Sequence, residues 1–153
     1  MTLRYVIDCG VAIKWFLPEE DSDRALHLHD ALTSGECELL APDLLLIEFA
    51  NVLWKRRAEL DQSTSSEMIR DLLDLDLTIT PSQSLLAAAL DVARSHNCTV
   101  YDSLYLALAA TNSIELITAD AKLYRSIKER LQFVRLLNEF TLPAQPIVSP
   151  TEA

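Results

Sequence analysis

Four carboxylates stand out because each is set in apolar sequence, where a solvated acid is out of place. Asp8 directly follows the run Leu3–Ile7, and Asp120 follows Leu116-Ile117-Thr118-Ala119. Glu48 sits within Leu44–Ala50, and Asp102 precedes Leu104, Leu106, Ala107 and Ala109. Glu19, Glu20, Asp21, Asp74 and Asp76 lie in polar surroundings and read as solvated surface. Each of the four also has an ordinary structural role open to it. Asp8 suits the polar end of a strand, Glu48 the rim of a helix, Asp102 a dipole-favoured helix start and Asp120 a helix cap. If the four converge, their charges repel, and either some protonate or a cation sits between them. Oxygen-only ligation suits Mg2+ or Mn2+, ions that also bind phosphate and activate water. The chemistry expected of such a cluster is metal-assisted hydrolysis of a phosphate ester, with no protein nucleophile.

Other chemistries find little support. His27, His29 and His96 have no zinc-like spacing with any cysteine. With 2 glycines in the chain there is no phosphate-cradling glycine loop. Ser103 lacks the Gly-x-Ser-x-Gly turn of a hydrolase nucleophile. A haloacid-dehalogenase-type phosphatase also places an aspartate after its first strand, but it needs a second acid two residues on, where Gly10 stands.

The elements that must position these acids alternate along the chain. Strands are expected at Leu3–Ile7, Glu38–Ala41, Leu77–Thr80, Glu115–Thr118 and Phe133–Leu137. A helix capped by Asp21 or Ser22 carries Ala25, Leu28, Ala31 and Leu32 and ends at Gly35. Pro42-Asp43 opens a long helix with Leu45, Phe49, Val52 and Leu53 on one face. After a polar break at Ser63–Ser66, a helix runs through Met68, Ile69, Leu72 and Leu73. Further helices are expected at Leu85–Ser95, about Tyr101–Thr111, and Ala121–Arg130. Strand–helix alternation implies right-handed crossovers and a mostly parallel sheet covered by helices on both faces. Ligands of such sheets bind outside the carboxyl ends of the strands, the edge on which Asp8 and Asp120 fall.

The 153 residues suit one domain with a real core, here 1–140, followed by a loose proline-containing tail, 141–153. The apolar runs are too short to span a bilayer, and Met1–Tyr5 enters a strand without a signal-peptide pattern. Cys9, Cys37 and Cys98 have no paired spacing, so reduced thiols in a cytoplasmic protein are expected. The net charge of −10 is awkward for a nucleic-acid enzyme and, taken alone, favours a small-molecule enzyme or an interaction protein. Bound cations would cancel part of it, and local patches count for more than the total.

Four blocks, in order, resemble the PIN-domain ribonucleases, especially the VapC toxins of prokaryotic toxin–antitoxin pairs. They are Val6-Ile7-Asp8 with Val11–Leu17, Ala41–Leu44 through Glu48–Leu53, Tyr101–Ala109, and Leu116–Asp120; the likeness spans roughly 3–137. The resemblance implies an α/β/α sandwich and a Mg2+- or Mn2+-dependent endoribonuclease. Its acidic ligands carry onto Asp8, Glu48, Asp102 and Asp120, with supporting polar roles for Thr118 and Asn51. It also implies an RNA substrate, a cognate antitoxin and a homodimer. The chain departs from the family at Gly10, where a serine or threonine is common.

Lys14, Lys55, Lys122 and Arg125 lie near these acids in sequence or on a shared helical face. They suit a groove for RNA phosphates, or ordinary surface charge. Trp15, Phe16 and Trp54 suit base stacking or antitoxin contact, although core packing is the commoner fate of such rings. The rival from another class is a catalytically weak PIN-like scaffold with a binding or regulatory role. Intact acids speak against it, while Gly10 and the acidic charge leave it open.

Overall fold

The computed structural model describes residues 2–144. Its centre is a five-stranded sheet, β1 (Leu3–Ile7), β2 (Cys37–Pro42), β3 (Thr78–Thr80), β4 (Glu115–Thr118) and β5 (Val134–Leu136). The order is β3-β2-β1-β4-β5 and every pairing is parallel. Tyr5, Val6 and Ile7 are consecutive and all buried, as are Leu116, Ile117 and Thr118. In a pleated strand consecutive side chains face opposite ways, so both faces of β1 and β4 are covered. This is the expected three-layered α/β/α architecture.

The helices are α1 (Cys9–Ile13), α2 (Ser22–Ser34), α3 (Leu44–Lys55), α4 (Gln62–Asp74), α5 (Leu86–His96), α6 (Val100–Asn112) and α7 (Ala121–Ile127). Among the described residues none is long and apolar enough to cross a membrane. Helix α6 is buried without interruption from Ser103 to Ala109, whereas α4 buries only Leu72. The first is an inner support packed on β1, β2 and β4; the second is a surface helix.

Several boundaries differ from expectation for local reasons. The short α1 was not anticipated: Asp8 caps it by accepting from Val11 N at 3.1 Å, which starts a helix immediately after β1. Ser63–Ser66 is no break, because Asp61 caps α4 through Thr64 N at 2.7 Å and draws the serines into its first turns. Helix α7 stops at Ile127 rather than Arg130, since the chain turns there toward β5, with Leu131 N donating to Ile127 O at 2.8 Å. Gly35 ends α2 at φ 82°, a left-handed conformation that glycine adopts without a Cβ penalty. The expected tail from 141 onward lies largely outside the described residues; before it, Phe140 is buried edge-to-face against Tyr5.

Strand order decides where a site can form. The chain lays β1, β2 and β3 outward on one side, then returns to place β4 and β5 on the other. The carboxyl ends of β1 and β4 therefore border the point where the topology reverses, and connections leaving in opposite directions open a crevice there.

Candidate active site

Asp8 and Asp120 reach that crevice from the ends of β1 and β4. Glu48 comes from the middle of α3 and Asp102 from the first turn of α6. All four line one cleft of about 320 Å³, together with Gly10, Lys14, Glu19 and Tyr105. Of the other sequence candidates, Thr118 is fully buried beneath the cleft, while Lys122 lines an adjoining recess. Asn51 and Lys55 are exposed on α3 and Arg125 on α7, and none of the three lines the cleft. Trp15 and Phe16 pack inward: the Trp15 indole donates to Ala25 O at 2.7 Å, and Phe16 meets Phe49 edge-to-face. Trp54 stays exposed beneath the Arg57 guanidinium.

The acids are held by named donors. Asp8 Oδ1 accepts from Val11 N at 3.1 Å and Ala119 N at 3.3 Å, while the Thr118 hydroxyl donates to Oδ2. Thr118 Oγ1 in turn accepts from Asp120 N at 3.0 Å, so one side chain joins both strand-end acids. Asp120 Oδ1 caps α7 through Leu123 N at 3.0 Å. Structural and functional readings of Asp8 and Asp120 therefore coexist, since a cap consumes only part of a carboxylate's acceptor capacity. Glu48 accepts from the Tyr105 hydroxyl, a bond between α3 and α6.

Electrostatics sets these carboxylates apart from surface acids. Burial pushes Asp8 up from 3.8 to about 6, against the pull of its hydrogen bonds, and neighbouring Asp120 adds to the rise. Asp102 is raised by burial and then by Asp120; Glu48 is raised by burial and, secondarily, by Asp102. Among the described residues none of the four makes a salt bridge. Lys14, the one cation among the described residues that line the cleft, turns its ammonium to Glu20 O at 2.6 Å and Glu19 Oε2 at 3.4 Å. Among the described residues the acids thus repel in a half-buried cleft with no counter-charge directed at them.

That charge imbalance and the all-oxygen donor set fit a divalent cation. In the present rotamers no three His, Cys, Asp or Glu side chains among the described residues surround a common point. The cleft is not a finished cage, and binding an ion would have to draw its carboxylates inward.

Two features of the site were not legible in advance. Tyr105 lies one turn after Asp102, a spacing that puts both on one face of α6. Glu19 is exposed, as expected, and also lines the cleft. Gly10 also has a physical reason. A Cβ there would lie 3.0 Å from Ala119 Cβ and 3.4 Å from Asp8 Oδ1. The close approach of Ala119 occupies the space of a side chain at 10, and Thr118 supplies a hydroxyl to Asp8 from the neighbouring strand.

A model of the PIN domain matches residues 5–128. The chain belongs to the PIN-domain family. This PIN domain is 33% identical over 125 residues to Ribonuclease VapC3 of Pyrobaculum aerophilum, covering 79% of this chain and 92% of that relative. Its fold is similar to the crystal structure of PAE2754 from Pyrobaculum aerophilum, with TM-score 0.67 and 20% identity over 90% of this chain and 85% of that one. It is also similar to VapC20 of Mycobacterium tuberculosis, described as a sarcin-ricin loop cleaving toxin, with TM-score 0.61 and 12% identity over 80% and 94%. A third similar structure is VapBC2 from Rickettsia felis bound to a promoter DNA fragment, with TM-score 0.59 and 12% identity over 88% and 97%.

Proposed function

We propose that this PIN domain is a Mg2+- or Mn2+-dependent endoribonuclease acting in the cytoplasm as the toxin of a toxin–antitoxin pair. The observation that carries the reading is the meeting of Asp8, Glu48, Asp102 and Asp120 at the switch point of a parallel sheet, with no ion-pair partner among the described residues. Similarity to a named ribonuclease supplies the substrate class. The residues that would hold the ion are these four acids. When bound, the ion supplies a Lewis acid that strengthens water as a nucleophile and offsets charge on the phosphodiester.

The chain's own residues have distinct tasks. Thr118 and the amides of Val11 and Ala119 fix the Asp8 carboxylate in position, and the Tyr105 hydroxyl orients Glu48. Lys14 ties the Glu19–Glu20 turn down beside the cleft. A cognate antitoxin and a second copy of the chain complete the reading. The exposed Ile47, Trp54, Leu73, Leu86, Leu90 and Tyr101 offer apolar surface for such partners.

Cleavage of total RNA by the purified chain, freed of any partner, tests the proposal. Asp102→Asn should stay folded and lose about a hundredfold or more in rate, on the order of 3 kcal/mol of transition-state stabilisation. The exposed Asp74→Asn should cut like wild type. A catalytically weak scaffold is favoured by one observation, the absence of a ready-made ligand cage among the described residues. Wild-type chain that cuts no RNA with either metal, while binding partner normally, would establish that alternative.

A further inference from the structure

The acid cleft carries on its wall a cation that does not serve the acids. Lys14 closes α1 and lines the cleft with Asp8, Glu48, Asp102 and Asp120. Its side chain is 12% exposed, so the ammonium is held against the protein rather than trailing in water. A compact ammonium on a flexible four-carbon stem is a natural partner for crowded carboxylates. Yet Lys14 Nζ donates to Glu20 O at 2.6 Å and to Glu19 Oε2 at 3.4 Å. Among the described residues no ion pair joins it to any of the four acids.

The turn that takes the ammonium is fixed by bonds of its own. Glu19 N donates to Ser22 Oγ at 2.8 Å, and Ser22 N donates to Glu19 O at 3.3 Å. Asp21 stands in the left-handed region at φ 62°, which non-glycine residues occupy where their surroundings hold them. Its carbonyl accepts from Arg24 N and Ala25 N as α2 begins. The Glu20 carbonyl is thus presented by a braced turn, and Glu19 adds a charge beside it. Arg56 also approaches Glu19, at 3.7 Å, but has a closer carboxylate in Glu59 at 2.8 Å. Glu19 is the one ion-pair partner of Lys14 among the described residues. With that charge gone, the acids of the cleft are the carboxylates that share its space.

We propose that the Glu19–Glu20 turn keeps Lys14 off the four cleft carboxylates, so that Glu19 is a positioning residue acting on the bound ion through Lys14. The inference rests on the metal-dependent reading of the cleft. An ammonium and a divalent cation answer the same carboxylates, and a paired ammonium has to be displaced before the ion binds. Holding Lys14 aside leaves the acids repelling one another and open to the ion that relieves them.

Titration calorimetry with Mn2+ on the full chain and three variants tests the proposal. Glu19→Ala, at an exposed position, should weaken Mn2+ binding about tenfold, because the freed ammonium now competes for the acids. Lys14→Met keeps the stem and removes the charge; alone it should change the affinity by less than about twofold. Added to Glu19→Ala, it should restore the wild-type affinity. A crystal structure of the metal-free Glu19→Ala chain supplies a readout without the ion. Lys14 Nζ should lie within about 4 Å of a cleft carboxylate there. Glu19→Ala that binds Mn2+ as tightly as wild type would overturn the holder and leave the metal centre standing. Lys14→Met that tightens Mn2+ equally in both backgrounds would also overturn it, since the two charges then act on the ion independently. So would a variant crystal in which Lys14 still donates to Glu20 O. Wild type that binds no Mn2+, beside a variant whose Lys14 has crossed to the acids, would sink the metal centre and leave Glu19 as the residue that holds Lys14 aside.

Discussion

Asp8 is the residue on which most of the site's chemistry turns, because it is at once strand end, helix cap and carboxylate of the cleft. Its pKa in the folded chain is about 6, raised chiefly by burial. A carboxyl raised on folding favours the protonated folded state. The stability it contributes is complete below its unfolded value near 3.8 and is lost as pH rises through about 6. Metal-free wild type should therefore melt at lower temperature at pH 7.5 than at pH 5.5, and Asp8→Asn should flatten that part of the profile. Calorimetry in EDTA reads this, and parallel curves for the two proteins would count against a buried, charge-stressed Asp8. Gly10 sits beside it. Gly10→Ala gains up to about 1 kcal/mol of helix propensity, but its Cβ presses on Ala119, whose amide holds Asp8. Melting temperature should barely change while Mn2+ affinity falls severalfold, and a second change, Ala119→Gly, should restore the affinity. Titration calorimetry decides, and an unchanged affinity in the single variant would remove the crowding argument.

At the scale of elements, the site is built by bringing α3 and α6 over the ends of β1 and β4. The Tyr105–Glu48 hydrogen bond is the polar link between those helices, made by a hydroxyl that is itself buried. A buried bond to a charged group contributes about 1.5–3 kcal/mol, so Tyr105→Phe should destabilise by roughly that amount. It should also free Glu48 to turn, so Mn2+ affinity should fall together with stability. Asp61→Ala, which removes the α4 cap far from the cleft, should cost about 1 kcal/mol and leave Mn2+ affinity untouched. If the two variants behave alike toward Mn2+, Tyr105 is a packing residue and nothing more.

For the whole molecule, the net charge of −10 is less of an obstacle than it first looks, because its distribution is uneven. Repelling acids gather in the cleft, while Lys122 lines the recess beside it. A ligand that binds only the folded state stabilises it by mass action, and one that relieves repulsion is a divalent cation. Mg2+ or Mn2+ at millimolar concentration should raise the melting temperature by several degrees, equivalent to about 1–3 kcal/mol, and EDTA should reverse it. In Asp8→Asn/Asp120→Asn the shift should be absent. A flat wild-type response to both ions would remove the metal centre altogether.

Periodicity and caps are local properties, and they made five strands, most helices and the strand-end position of Asp8 and Asp120 readable from the chain alone. Four motif blocks pointed to the PIN-domain family, which the match over residues 5–128 bears out. The short α1 escaped because its only signal is the Asp8 cap, and the serines before Met68 misled because isolated composition outweighed the Asp61 cap. Spatial neighbourhood was of another kind. That Thr118 holds Asp8 across 110 positions, and that Tyr105 meets Glu48 across 57, follow from strand order and helix placement. The same is true of Ala119 filling the space above Gly10 and of Lys122 lining a recess beside the acids. Strand order and helix packing are chosen by burial of the entire apolar surface at once. No single segment carries that information, and only the folded chain decides it.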